Sequence, residues 1–125
     1  MPLFVNARID TFLSGAGGVD ETLTRAYAYL AAGADGIFVP GVVDPATIRE
    51  LVRPVPAPLN VLAGPGAPTV PELARLGVAR VSLGSSVAEA AYTVARRAAD
   101  EALGAGTYGA LADALDYGTL NALMR

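Results

Sequence analysis

The sequence predicts an α/β domain of four parallel βα units followed by C-terminal helices. Two observations carry that prediction. Short apolar runs alternate with segments of helical spacing, and capping residues and glycine stops fall between them. Each strand also returns to the next through a helix, which imposes parallel pairing.

Leu3-Phe4-Val5-Asn6-Ala7 reads as the first strand, followed by a helix from Asp20 to Ala32. Leu23, Ala26, Tyr27, Leu30 and Ala31 keep helical spacing there, and Gly33 stops it. Gly36-Ile37-Phe38-Val39 is the second strand. Asp44-Pro45 opens the second helix, Asp as N-cap and Pro at the first helical position, with Ile48, Leu51 and Val52 as its buried stripe. Leu59-Asn60-Val61-Leu62-Ala63 forms the third strand, before the turn Gly64-Pro65-Gly66. Thr69-Val70-Pro71-Glu72 fits a capping box for a helix that ends at Gly77. Arg80-Val81-Ser82-Leu83 is the fourth strand. Ser86-Val87-Ala88-Glu89 reads as a second capping box, starting a helix to Leu103. A further helix is expected over 107–115, and a short one in the tail. No linker divides the chain, so residues 1–125 are read as one domain.

Composition narrows the function. The 125 residues are 53% hydrophobic, too apolar for a disordered chain. No apolar run reaches the roughly 20 residues of a membrane span, and the first residues lack the pattern of a signal peptide. A cytoplasmic protein that does not enter membranes is the expectation. The net charge of −3 and nine scattered basic residues argue against nucleic-acid partners. Without Cys or His there is neither a thiolate nucleophile nor an imidazole base.

Four βα units suit either an open doubly wound sheet or half of an eight-stranded barrel, which needs about 250 residues when complete. The chain reads Ala7-Arg8-Ile9-Asp10 after the first strand, not the glycine fingerprint of a dinucleotide binder. In either architecture, chemistry gathers at the carboxyl ends of the strands. Asn6, Arg8 and Asp10 alternate onto one face there, and Leu3, Val5 and Ala7 onto the other, where helices are expected to cover them. Arg8 offers a planar fork for a carboxylate or phosphate; its bland alternative is a structural pair with Asp10. Gly64-Pro65-Gly66 and Gly84-Ser85-Ser86 let backbone approach a ligand, although turn and cap roles also explain them. Asp35 precedes its strand and reads as structural, and Asp44 as a cap, so no metal site is expected from these residues.

Phe4-Val5-Asn6-Ala7-Arg8-Ile9-Asp10 resembles the NAR-x-D segment after the fifth strand of isocitrate lyase/phosphoenolpyruvate mutase barrels. The likeness continues through Ala32–Gly41, Asp44-Pro45, Pro58–Gly66 and Leu76–Gly84, with the closest flavour that of the phosphonomutase-like branch. The resemblance implies the C-terminal half of a (β/α)8 TIM-type barrel. It also implies Mg²⁺-dependent lyase or mutase chemistry on small α-oxo or α-hydroxy carboxylates or phosphonates. In this family, C–C or P–C bonds are made or broken through a metal-stabilised enolate. It makes Arg8 the substrate-binding arginine, counted as catalytic, with Asn6, Asp10, Gly41, Gly64, Gly84 and Ser85 as substrate-binding neighbours. Gly41 and Gly64 stand where lyase members tend to carry Glu and Asn. The family's metal-binding acids belong to the first half of the barrel. Mg²⁺ is therefore expected of the complete barrel, and no turnover of this chain alone. Homo-oligomerisation or pairing with a first half-barrel is the expected partnership. A non-catalytic half-barrel module and an open-sheet binder of a phosphorylated metabolite are the competing readings.

Overall fold

The computed structural model describes residues 3–124, in two compact units, Met1–Gly84 and Ser85–Arg125. The first unit holds β1 (Asn6–Arg8), α1 (Val19–Ala31), β2 (Gly36–Val39), α2 (Pro45–Val52), β3 (Leu59–Leu62), α3 (Val70–Leu76) and β4 (Arg80–Ser82). All four strands pair in parallel, in the order β1-β2-β3-β4. Sequential order is the winding of a barrel wall. A doubly wound sheet reverses its order and carries helices on both faces, so the open-sheet alternative is set aside.

Pleat parity then separates two faces. Ala7, Ile37, Val39, Leu59, Val61 and Val81 share one face by register. There Ile37, Val39, Leu59 and Val61 are buried with Ile48 and Leu51 of α2, Leu73 of α3 and Ala26 of α1. Fully burying one such aliphatic side chain contributes about 1.5–3 kcal/mol, so this helix-covered face supplies the core. The opposite face carries Asn6, Arg8, Phe38, Asn60, Leu62, Arg80 and Ser82.

Local chemistry sets the helix boundaries. Asp44 accepts from the Thr47 amide at 2.8 Å and caps α2 as expected. Its carboxyl is held below the usual range, first by that amide and then by the Thr47 hydroxyl. The Thr69–Glu72 capping box forms on α3. The Thr69 hydroxyl and amide lower the Glu72 carboxyl in turn.

Four expectations are corrected. The first strand is Asn6–Arg8, not Leu3–Ala7, because the Asp35 carboxylate takes the Val5 amide at 2.8 Å and displaces the ladder there. Leu3 and Val5 are exposed, with no helix over them. The α4 helix (Ser86–Gly104) has Ser85 rather than Ser86 at its N-cap, and the Ser85 hydroxyl donates to the Glu89 carboxylate at 2.6 Å. The helix expected over 107–115 is only a 3₁₀ turn, Gly109–Leu111, followed by α5 (Tyr117–Leu123). Glu101 gathers that turn by accepting from Thr107 Oγ1, the Gly109 amide and the Ala110 amide at 2.5, 2.7 and 2.6 Å. These bonds, the Thr107 hydroxyl first, lower the Glu101 carboxyl. Among the described residues no helix is long and apolar enough to cross a membrane.

Candidate carboxylate site at the strand ends

The carboxyl ends of the four strands bring Arg8, Asp10, Gly41, Gly64 and Gly84 to one end of the sheet, with Asn6 two residues lower on β1. Ser85 begins the second unit. Arg8 lies on the face away from the helices, beside Phe38 by register. Its Nε donates to Asp10 Oδ1 at 2.6 Å. Both side chains are about half exposed (52% and 51%), so this pair contributes at most about 1 kcal/mol to stability. Its consequence is orientation: Nε is engaged, while no hydrogen bond is formed among the described residues by the two terminal nitrogens, the pair that can fork a carboxylate. The structural pairing and the ligand-binding reading of Arg8 are thus compatible.

Phe38 and Asn60, which the sequence reading did not select, complete this face. The Arg8 guanidinium carbon lies 5.8 Å from the Phe38 ring centroid. Asn60 is 2% exposed and exchanges hydrogen bonds with Ser82 Oγ at 3.0 and 3.2 Å. Its signal was a polar residue inside the apolar run Leu59-Asn60-Val61-Leu62. Phe38 could not be paired with Arg8 without the register.

The loop after β1 is fixed from both sides. Its backbone closes through Ser14 N to Asp10 O at 2.8 Å and Ala16 N to Thr11 O at 3.0 Å. Buried Thr11 and Thr22 share a hydroxyl hydrogen bond at 2.5 Å, tying the loop to α1. Thr22 in turn donates to Gly18 O at 2.7 Å. On the other side the loop rests against Gly41, where an added Cβ would stand 2.6 Å from Leu13 N and 2.8 Å from its Cα. Gly41 also has φ +89°, so a side chain is disfavoured by conformation and by space. The loop backbone fills the direction a side chain at this position would take. Gly84 (φ +56°) is closed similarly by Leu62 Cδ1, 2.9 Å from where a Cβ would be.

A groove of about 480 Å³ also lies between α2 and α3, lined by Val43, Arg49, Pro68, Glu72 and Arg75 among others. Its lining includes none of Asn6, Arg8, Asp10, Gly41, Gly64 or Gly84, although Val43 and Gly66 come from the loops that follow β2 and β3. Among the described residues no group of three or more His, Cys, Asp or Glu could hold a metal ion. Asp10, the acid of the strand-end face, is engaged by Arg8. Among the described residues the acids are thus not gathered into a set that fits Mg²⁺.

Comparison with known proteins gives this geometry its context. The sequence profile described as phosphoenolpyruvate phosphomutase matches residues 1–103. The Mycobacterium tuberculosis protein Rv1998c is 47% identical over 98 residues, covering 78% of this chain and 38% of that protein. An oxaloacetate decarboxylase of Ectopseudomonas mendocina is 38% identical over 109 residues, covering 79% and 36%. A Burkholderia cenocepacia protein assigned as a lyase/mutase superposes with a TM-score of 0.90 at 37% identity, over 99% of this chain and 46% of that one. A phosphoenolpyruvate phosphomutase of Streptomyces platensis shares the fold with a TM-score of 0.76 at 24% identity, over 94% and 42%. The chain thus spans less than half the length of these relatives, and its four βα units correspond to about half of a TIM-type barrel. By sequence and by fold, the chain belongs to the phosphoenolpyruvate phosphomutase family, within the isocitrate lyase/phosphoenolpyruvate mutase superfamily.

Proposed function

We propose that this chain is the substrate-anchoring half of a lyase- or mutase-type barrel acting on small α-oxo or α-hydroxy carboxylates, with Arg8 as the anchor. One observation carries the reading: Arg8 stands at the carboxyl end of β1 with Nε fixed by Asp10 and its terminal nitrogens left to fork an incoming carboxylate. Asn6 and Asp10 neighbour it on the same segment, and Gly41, Gly64 and Gly84, which follow the adjoining strands, are the further substrate contacts of this reading.

Family enzymes of this type are typically metal-dependent, and the residues present here do not supply that ion. The carboxylates for it belong to strands outside this chain, which alone turns nothing over. Among the described residues β1 and β4 have no strand on their outer edges, and unpaired edges invite other strands. We assign those edges to a second copy or to a first half-barrel. The nature of the bond made or broken, C–C or P–C, follows from residues that the completing strands bring.

Oxalate, a small dianion whose two adjacent carboxylates imitate an α-oxo carboxylate, provides the test. A dicarbonyl reagent that modifies arginine should label half-exposed Arg8, and oxalate should protect Arg8 selectively among the nine arginines, read by peptide mass spectrometry. Arg8 labelled at one rate with and without oxalate would remove the assignment.

A further inference from the structure

We propose that Phe38 is a positioning residue for Arg8, setting the plane in which the guanidinium meets a carboxylate; this rests on Arg8 being the anchor. Three observations converge on Phe38. Parallel register places it directly beside Arg8 on the face away from the helices. The guanidinium carbon stands 5.8 Å from its ring centroid, within the roughly 6 Å over which a cation is drawn to an aromatic face. The Phe38 ring is half-buried, and its own backbone is fixed, since its carbonyl accepts from the Ile9 amide at 2.8 Å.

Arg8 is thereby restrained at two different points. Asp10 holds Nε and so fixes the direction of the side chain, but a single hydrogen bond leaves the guanidinium free to roll about it. The ring of Phe38 opposes that rolling and leaves the fork at the far edge open. A long exposed arginine loses considerable rotamer freedom when it binds. Restraining it beforehand lets the fork bind more tightly without touching the ligand. The pairing of Asn60 with Ser82 on the neighbouring strands holds the other side of Phe38's row, because Phe38 is in register with Asn60.

The test replaces Phe38 with phenylalanines carrying one, two and three ring fluorines, which withdraw charge from the ring face while scarcely changing its size. Oxalate affinity is measured on the full chain with any partner it co-purifies with, beside Phe38→Leu, Phe38→Tyr and Arg8→Ala. Circular dichroism checks the fold. Affinity should weaken stepwise with each fluorine, by about two- to fivefold at the end of the series, as a partly exposed cation–π contact allows. Phe38→Leu should match the end of the series and Phe38→Tyr the natural chain. If Phe38→Leu does not fold, the fluorinated series alone decides. Fluorination without effect, while Arg8→Ala lowers affinity, reduces Phe38 to packing and overturns the inference. Oxalate affinity indifferent to Arg8→Ala overturns the underlying reading instead.

Discussion

Gly41→Ala isolates the contact that holds the β1–α1 loop against the second strand. The native φ of +89° lies in the left-handed region, where a Cβ costs about 1–2 kcal/mol. The new methyl would also sit 2.6–2.9 Å from backbone atoms of Phe12 and Leu13. Backbone cannot swing aside as a side-chain tip can, so a further 1–3 kcal/mol, roughly, is expected from overpacking. The lower entropy of the unfolded alanine chain returns about 0.4–1 kcal/mol. The net loss should be about 1–4.5 kcal/mol. Gly66→Ala is the matched control, because Gly66 has the same φ of +89° and nothing within 4 Å of an added Cβ. It should lose only the conformational part, about 1 kcal/mol. Urea unfolding of both variants beside the natural chain measures the difference. Equal losses would refute the argument, since the loop would then not be seated on Gly41.

Two further outcomes follow from the structure. Glu101 and Asp116 both have carboxyls lowered by hydrogen bonds, to Thr107, Ala110 and Gly109 in one case and to Thr119 first in the other. Stability from such groups is fully present above their unfolded values and is lost as pH falls through the lowered folded values. Helical circular dichroism should therefore drop on acidification below the ordinary carboxylate range, and Glu101→Gln should start lower and lose less; an unchanged acid profile in that variant would contradict this. The unpaired edges of β1 and β4 predict association at micromolar concentration, by self-assembly or with a first half-barrel. Sedimentation showing a compact, ideal monomer would contradict it.

What the sequence disclosed was governed by locality. Asp44-Pro45 and Thr69-Val70-Pro71-Glu72 act within one helical turn, and both caps form where the residues place them. Gly36–Val39 is the strand expected, bounded by its own glycine and proline. The first strand was misplaced because a carboxylate 30 residues away, Asp35, takes the Val5 amide. Local pattern carries no sign of that. Glu101 folds the segment after α4 through partners six to nine residues ahead, so its composition suggested a longer helix.

The face assignment shows the same boundary. Alternation correctly set Arg8 and Asn6 apart from Ala7, but it left open which parity of β2 and β3 the helices cover. Ile37 and Val39 are buried beneath the helices, and Phe38 and Asn60 take the other face. Arg8 stood out in the sequence because a fork-shaped cation at a strand end can take a carboxylate or phosphate. Its support by Asp10 was foreseen only as a bland alternative, and its neighbour Phe38 depends on register. For Gly41 the sequence suggested proximity to substrate; the structure gives a concrete local role in accepting the loop backbone at Leu13.

The most direct test of the account is a calorimetric titration of oxalate into the assembled protein, comparing the natural chain with Arg8→Ala. Losing a charge-assisted fork should weaken binding by at least about 100-fold, since each of its two hydrogen bonds contributes roughly 1.5–3 kcal/mol. Arg8→Lys, which keeps the charge and loses the fork, should fall between the two. Equal affinity in all three proteins would contradict the claim that Arg8 anchors the carboxylate.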